Sequence, residues 1–203
     1  AHQTVVDMAQ HAEVPVINGL SDYAHPCQGL ADLFTIREKF GTFKGITLSY
    51  IGDGNNVSNS LMSICAKLGM NMNIATPKGY APDPGVVKIT TVLCRQSGAC
   101  VKIFDKPEKA AAGADVLYTD VWASMGQEAE AQKRKKDFKG FQLNSKLASY
   151  AKKGALIMHC LPAHRGEEIS DEVIEGPNAI VFDEAENRLH VQKAVLVKLL
   201  GKI

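Results

Sequence analysis

Ile46-Thr47-Leu48-Ser49-Tyr50-Ile51 runs directly into Gly52-Asp53-Gly54-Asn55-Asn56, and from there Val57, Leu61, Ile64, Cys65 and Leu68 fall at helical spacing up to Gly69. The first run follows Lys44-Gly45 and is rich in β-branched and aromatic residues, the composition of a strand. The second is an amphipathic helix with Gly69 as its stop. A strand, a glycine-bearing turn and a helix, in that order, form the repeating unit of a parallel α/β sheet.

The alternation continues along the chain. Met72 to Ala75 is a short strand ended by Thr76-Pro77-Lys78-Gly79, and a helix is expected from Pro84 through Val92. Val101 to Phe104 reads as a strand and Pro107 to Ala112 as a short Ala-rich helix. Val116 to Tyr118 and Ala155 to Cys160 read as strands. Ala179 to Phe182 is expected to be the last strand, with a helix from about Asn187 to Leu200. Six strands between helices imply an α/β fold: a parallel sheet with helices on both faces, Rossmann-like. The first 40 residues differ. Val14 to Gly19 suggests a strand and turn, and His25-Pro26 opens a helix through Phe40, a piece too small to be a domain by itself. The expected division is therefore 1–40, 41–185 and a C-terminal helix 186–203 that packs back toward the first segment.

Composition narrows the function classes. Of 203 residues, 45% are hydrophobic and 22% charged, the balance of a globular protein. A net charge of +1 gives no field to draw in nucleic acid or an anionic membrane surface. The most apolar stretch, Val191 to Leu200, is broken by Gln192, Lys193 and Lys198, so no membrane span is expected. Ala1-His2-Gln3-Thr4 lacks the basic-then-apolar order of a signal peptide, and the absence of Met leaves the native start open. Cys27, Cys65, Cys94, Cys100 and Cys160 are odd in number and contain no CxxC pair. That pattern fits a reducing compartment better than a disulfide framework or a structural zinc site.

Ligands of parallel sheets bind beyond the carboxyl ends of the strands. The expected strand ends carry Gly52 to Asn56, Thr76 to Lys78, Asp120-Val121-Trp122, His159-Cys160-Leu161-Pro162 and Asp183 to Arg188. Gly52-x-Gly54 half-matches the dinucleotide fingerprint, but Val57 replaces its third glycine and the next strand ends without an acid. The turn suits Asn55 or Asn56 presenting an amide to a small polar ligand. His25 and Gln28 meet at a probable helix start, where donors and the helix dipole suit a phosphate or carbonyl oxygen; a helix-capping His is the simpler alternative. Asp120 suits an ammonium group, and Ser124-Met125-Gly126 suits a hinge to a lid. The charged run Glu128 to Lys139 reads most simply as a solvated loop or helix. His159-Cys160 has no Asn or Asp in evidence to make a cysteine-protease dyad.

Taken together, these motifs resemble the carbamoyltransferase family, in its ornithine branch. The matching residues, in family order, are His25-Pro26-Cys27-Gln28 with Leu30 to Leu33, Gly52-Asp53-Gly54-Asn55-Asn56, Asp120-x-x-x-Ser124-Met125-Gly126, His159-Cys160-Leu161-Pro162 and Glu186-Asn187-Arg188. They cover nearly the whole chain. The family's Ser-x-Arg-Thr-Arg phosphate loop is absent from these residues, so the resemblance implies the last helix of a carbamoyl phosphate domain followed by a complete ornithine domain. It implies transfer of a carbamoyl group from carbamoyl phosphate to the δ-amine of L-ornithine, with no metal and no organic cofactor. It assigns His25, Gln28, Cys160, Leu161 and Arg188 to the carbamoyl phosphate side, with His25, Cys160 and Arg188 catalytic. Asn56, Asp120, Ser124 and Met125 go to ornithine, with Ser124 to about Lys139 as the lid. It also implies a homotrimer whose neighbour completes the site, and a cytoplasmic setting, or the mitochondrial matrix if a transit peptide has been removed. Three rivals differ in kind: a sister transferase for putrescine or an acetylated ornithine, a nucleotide-binding domain, and a non-catalytic interaction module.

Overall fold

The computed structural model describes residues 1–124 and 126–201. Met125, one of the expected ornithine contacts, lies outside the described residues. Strands β1 (Thr47–Ile51), β2 (Asn71–Ala75), β3 (Val101–Phe104), β4 (Val116–Thr119) and β5 (Leu156–His159) form one parallel sheet in the order β3-β2-β1-β4-β5. Tyr50 in β1 pairs with Ile74 on one side and with Tyr118 on the other. The chain winds outward from β1 to β3, then returns to lay β4 against the free side of β1. The direction of winding thus reverses between β1 and β4, which opens a crevice beyond their carboxyl ends.

Both faces of the sheet are covered. Leu48, Tyr50, Val116, Tyr118 and Met158 point into a core shared with α2 (Pro26–Phe40), α3 (Asn56–Leu68) and α4 (Pro84–Ser97). Ile51, Leu117 and Ile157 point into a second core with α5 (Pro107–Ala111), α7 (Ser145–Ala148) and α8 (Asp171–Ile174). The strands therefore read as unbroken apolar runs instead of alternating ones. Ser49 survives on the second face because its hydroxyl donates to the Ala110 carbonyl at 2.5 Å. No helix among the described residues is long and apolar enough to cross a membrane.

The expected sixth strand forms only a single bridge. Ala179 pairs with Ile157, and Ile180 N–H reaches the Ile157 carbonyl at 3.0 Å. The chain then turns into α9 (Val181–Leu200), six residues earlier than the apolar pattern suggested. Asp183 and Glu184 occupy the first turn of α9, where the helix dipole favours carboxylates, and that preference ends the strand. The expected boundary at 185/186 thus falls inside one continuous helix, which packs along α2. Val14 to Gly19 forms no strand either. Val14 and Ile17 are exposed, and a strand there would have no sheet edge to pair with. Helix α1 (His2–His11) buries no residue, and its short run of Val5, Met8 and Ala9 did not by itself signal a helix. Helix α4 runs five residues past Val92, to Ser97.

The charged run around Glu128 to Lys139 is the mostly exposed segment expected, except at two positions. It contains a 3-10 turn, Glu128–Glu130, and helix α6 (Ala131–Asp137). Arg134 is buried and donates to Asp53 Oδ2 at 2.6 Å and to the Trp122 carbonyl at 2.9 Å. Phe138 is fully buried, stacked on Trp122 and edge-on to Tyr80. One arginine and one phenylalanine thus dock this segment over the crevice.

Candidate active site at the carboxyl ends of the strands

Asn55 caps α3 with its carbonyl oxygen, which accepts from Val57 N at 3.0 Å and Ser58 N at 3.1 Å. That fixes the amide, so its NH2 end faces outward and donates to Asp120 Oδ2 at 2.7 Å. Asp120, just beyond β4, is further held by Val121 N at 2.8 Å and by the Cys160 thiol at 3.1 Å, both on Oδ1. Three strand ends therefore meet on one buried carboxylate. Asn56 lies beside it and donates to the Ser21 carbonyl at 2.7 Å. Ser124 N–H donates to Gln127 Oε1 at 3.0 Å.

The second half of the site comes from α2 and α9. His25 precedes α2, and its backbone N–H donates to Ser60 Oγ at 2.8 Å. Its Nδ1 is buried without a partner, as is Nε of Arg188. Arg188 NH1 donates to Gln28 Oε1 at 2.6 Å. Gln28 is nearly fully buried, and its amide NH2 donates to Asp32 and Glu184. Its donors are thus spent inside the protein, and the end nearest Arg188 is an acceptor. His25, Asn56, Asp120, Ser124, Cys160, Leu161 and Arg188 line one cavity of about 390 Å³. Leu20, Val57, Val121, Ala123, Pro162 and His164 complete its wall, and none of these was a candidate binding residue from the sequence. Val121, Ala123 and Pro162 lie inside the motifs that open with Asp120 and His159, and His164 lies two residues beyond the second.

The electrostatics separate the roles. Burial, then the Arg188 guanidinium, pushes the His25 imidazole down to about 4, so the ring is neutral at pH 7. Burial, then the Asp120 carboxylate, holds the Cys160 thiol well above its ordinary value. Cys160 therefore stays a thiol that donates to Asp120, and it is neither a nucleophile nor a base at neutral pH. Its histidine neighbour points elsewhere. His159 Nδ1 accepts from Leu161 N at 2.9 Å, and Nε2 meets the fully buried Glu168 at 3.1 Å. That brace holds the turn in which Leu161 takes a left-handed φ of 53°.

These residues suit neither a metal ion nor a dinucleotide. Asp120, His159 and Cys160 each bring a ligand-type atom within 4.8 Å of the others. Both His159 nitrogens and the Cys160 thiol are already committed, so a metal would have to break three hydrogen bonds. A dinucleotide fares no better. The second glycine of such a fingerprint leaves room for a pyrophosphate, but at Gly54 that room is filled by the chain itself. A Cβ there would stand 2.4 Å from Pro82 N, 2.5 Å from Ala81 C and 2.6 Å from Tyr80 O. Gly54→Ala is accordingly expected to cost about 3 kcal/mol of stability. A thermal melt checks this; a loss below about 1 kcal/mol contradicts the close approach.

Known proteins resemble this chain over its whole length. The model of the aspartate/ornithine carbamoyltransferase Asp/Orn binding domain matches residues 44–199, and that of the carbamoyl-P binding domain matches residues 1–38. The chain belongs to the aspartate/ornithine carbamoyltransferase family. An ornithine carbamoyltransferase of Pyrococcus horikoshii is 57% identical over 203 residues, 100% of this chain and 64% of that protein. The chain thus spans 64% of the length of this curated relative. The solved ornithine carbamoyltransferase of Pyrococcus furiosus superposes with a TM-score of 0.96 at 56% identity, covering 100% of this chain and 64% of that one. A solved N-acetyl-L-ornithine transcarbamylase superposes at 0.86 with 31% identity, covering 98% and 63%. The first family match ends in the last turn of α2 and the second begins before β1, so the cavity draws His25 from one and Arg188 from the other.

Proposed function

We propose that the protein carrying this chain transfers the carbamoyl group of carbamoyl phosphate to the δ-amine of L-ornithine, giving L-citrulline and phosphate. The observation that carries this is the single cavity in which His25 and Arg188 face Asp120 and Cys160. Arg188 and the neutral His25 offer donors to the carbamoyl oxygen as negative charge develops on it. Gln28, presenting its oxygen, accepts from the carbamoyl NH2. The Leu161 turn shapes the same end. Asp120 takes an ammonium of ornithine, with Asn56, Ser124 and Met125 at the amino acid end. The Cys160 thiol orients the Asp120 carboxylate and lies beside the δ-amine, which attacks as the free base. The docked segment around α6 excludes water over the crevice.

Residues 1–40 act in this proposal as the tail of a carbamoyl phosphate domain, and the remainder as the ornithine domain with α9 bound back to α2. A trimer is part of the same proposal; Met8, Leu30, Phe34 and Leu189, exposed on α1, α2 and α9, supply apolar surface for contacts. The cytoplasm, or the mitochondrial matrix, is the setting that five free cysteines support. The experiment is a panel of amines incubated with carbamoyl phosphate and scored for ureido product. L-ornithine is expected to be preferred at least about a hundredfold over putrescine and N-acetyl-L-ornithine, because a site built on buried polar partners rejects analogues that leave them unpaired. Preference for either of those amines would contradict the proposal.

A further inference from the structure

Behind Arg188, Gln28 leads into a buried cluster that the proposed reaction leaves unused. Asp32 on α2 and Glu184 on α9 are both fully buried. They converge on the same two donors. Gln28 Nε2 lies 2.7 Å from Asp32 Oδ1 and 3.0 Å from Glu184 Oε1. The Tyr118 hydroxyl lies 3.1 Å from Glu184 Oε1 and 3.4 Å from Asp32 Oδ2. The remaining oxygen, Glu184 Oε2, accepts the backbone N–H of His159 at 3.0 Å. Burial raises both carboxyls, Asp32 to about 7 and Glu184 well above its ordinary value, so the pair retains a proton near neutrality. Arg188, which itself grips Gln28 Oε1, acts on Asp32 in the opposite direction to burial.

We propose that Asp32 and Glu184 are positioning residues for the carbamoyl end of the site. With the retained proton shared between the two carboxyls, each still turns an acceptor oxygen to the same end of the Gln28 amide, which is therefore NH2, so the oxygen turns toward Arg188 and sets the guanidinium's pose. The same Glu184 ties the last residue of β5 to α9 and so places the Cys160-Leu161 turn relative to Arg188. A purely apolar core at these positions could stabilise α2 against α9 equally well. Only an acceptor pair fixes which way the amide faces. The catalytic meaning rests on the proposed carbamoyl transfer; the geometric meaning does not.

The test is Glu184→Gln, nearly the same in volume, which must turn an NH2 toward either Gln28 and Tyr118 or the His159 N–H. Asp32→Asn is the second variant if the first fails to fold. NMR of the chain, reading the Gln28 side-chain amide and the ¹⁵N relaxation of Arg188 Nε, is expected to show the amide resonances displaced and Arg188 loosened. In the transfer assay, KM for carbamoyl phosphate is expected to rise about tenfold, the equivalent of one buried hydrogen bond lost, with KM for ornithine within twofold. Unchanged Gln28 and Arg188 signals overturn the positioning role. So does an equal rise in both KM values with a lowered melting temperature, the mark of a merely structural pair. A wild type that makes no citrulline overturns the proposed function alone, because the NMR arm needs no turnover.

Discussion

Arg188→Ala is expected to lower kcat for citrulline formation by a factor of about 10² to 10³, the range for removing one donor to a developing oxyanion. Arg188 brings a full charge into a cavity whose other carbamoyl-side donor, His25, is held neutral by burial and, second, by that same charge. Its Nε is buried without a protein partner, while NH1 is fixed on Gln28. A guanidinium half anchored and half unpaired is preorganised for a ligand oxygen. Arg188→Lys keeps the charge but loses the planar fork, so it should recover only part of the rate. The melting temperature should stay near that of the wild type, because Arg188 belongs to neither apolar core. A drop of less than tenfold in kcat would contradict the role.

The second large effect is on the amine. Asp120→Asn is expected to raise KM for L-ornithine about a hundredfold and to leave KM for carbamoyl phosphate within threefold. Removing the charge takes away the partner of an ammonium group in a site with little water. The hydrogen bonds add to this. Asn55 cannot reverse its amide, since its oxygen caps α3, so an Asn at 120 must set NH2 against NH2 or give up the contacts to Val121 N and the Cys160 thiol. Steady-state kinetics in both substrates decides it. Equal weakening of both would show that Asp120 holds the site together without contacting the amine.

The strands were readable because each is short, apolar and bounded by glycine, proline or a polar turn, and the parallel order followed from helices between them. What could not be read was tertiary in origin. Residues 179–182 look like a strand, yet only Ala179 and Ile180 stay against Ile157 while Val181 and Phe182 open α9. Arg134 and Phe138 look like part of a charged surface until Asp53, Trp122 and Tyr80 are seen beneath them. In the site, His25, Asp120, Cys160 and Arg188 stood out as polar or reactive residues at strand and helix ends. Asn55 was legible as an amide offered to a ligand but not as the cap of α3 that clamps Asp120. Asp32, Tyr118 and Glu184 were hidden because a buried acid on a helix has the same spacing as a solvated one, and its partner lies 152 positions away in the sequence.

The most direct test is a crystal structure of the protein with L-ornithine bound. The predicted result is ornithine in the cavity beside Arg188, with an ammonium on Asp120 and the δ-nitrogen next to Cys160 Sγ on the side facing His25. Ornithine seated only in the outer groove lined by Tyr80, Lys133 and Asp137, with Asp120 still holding just Asn55, Val121 and Cys160, would contradict the account.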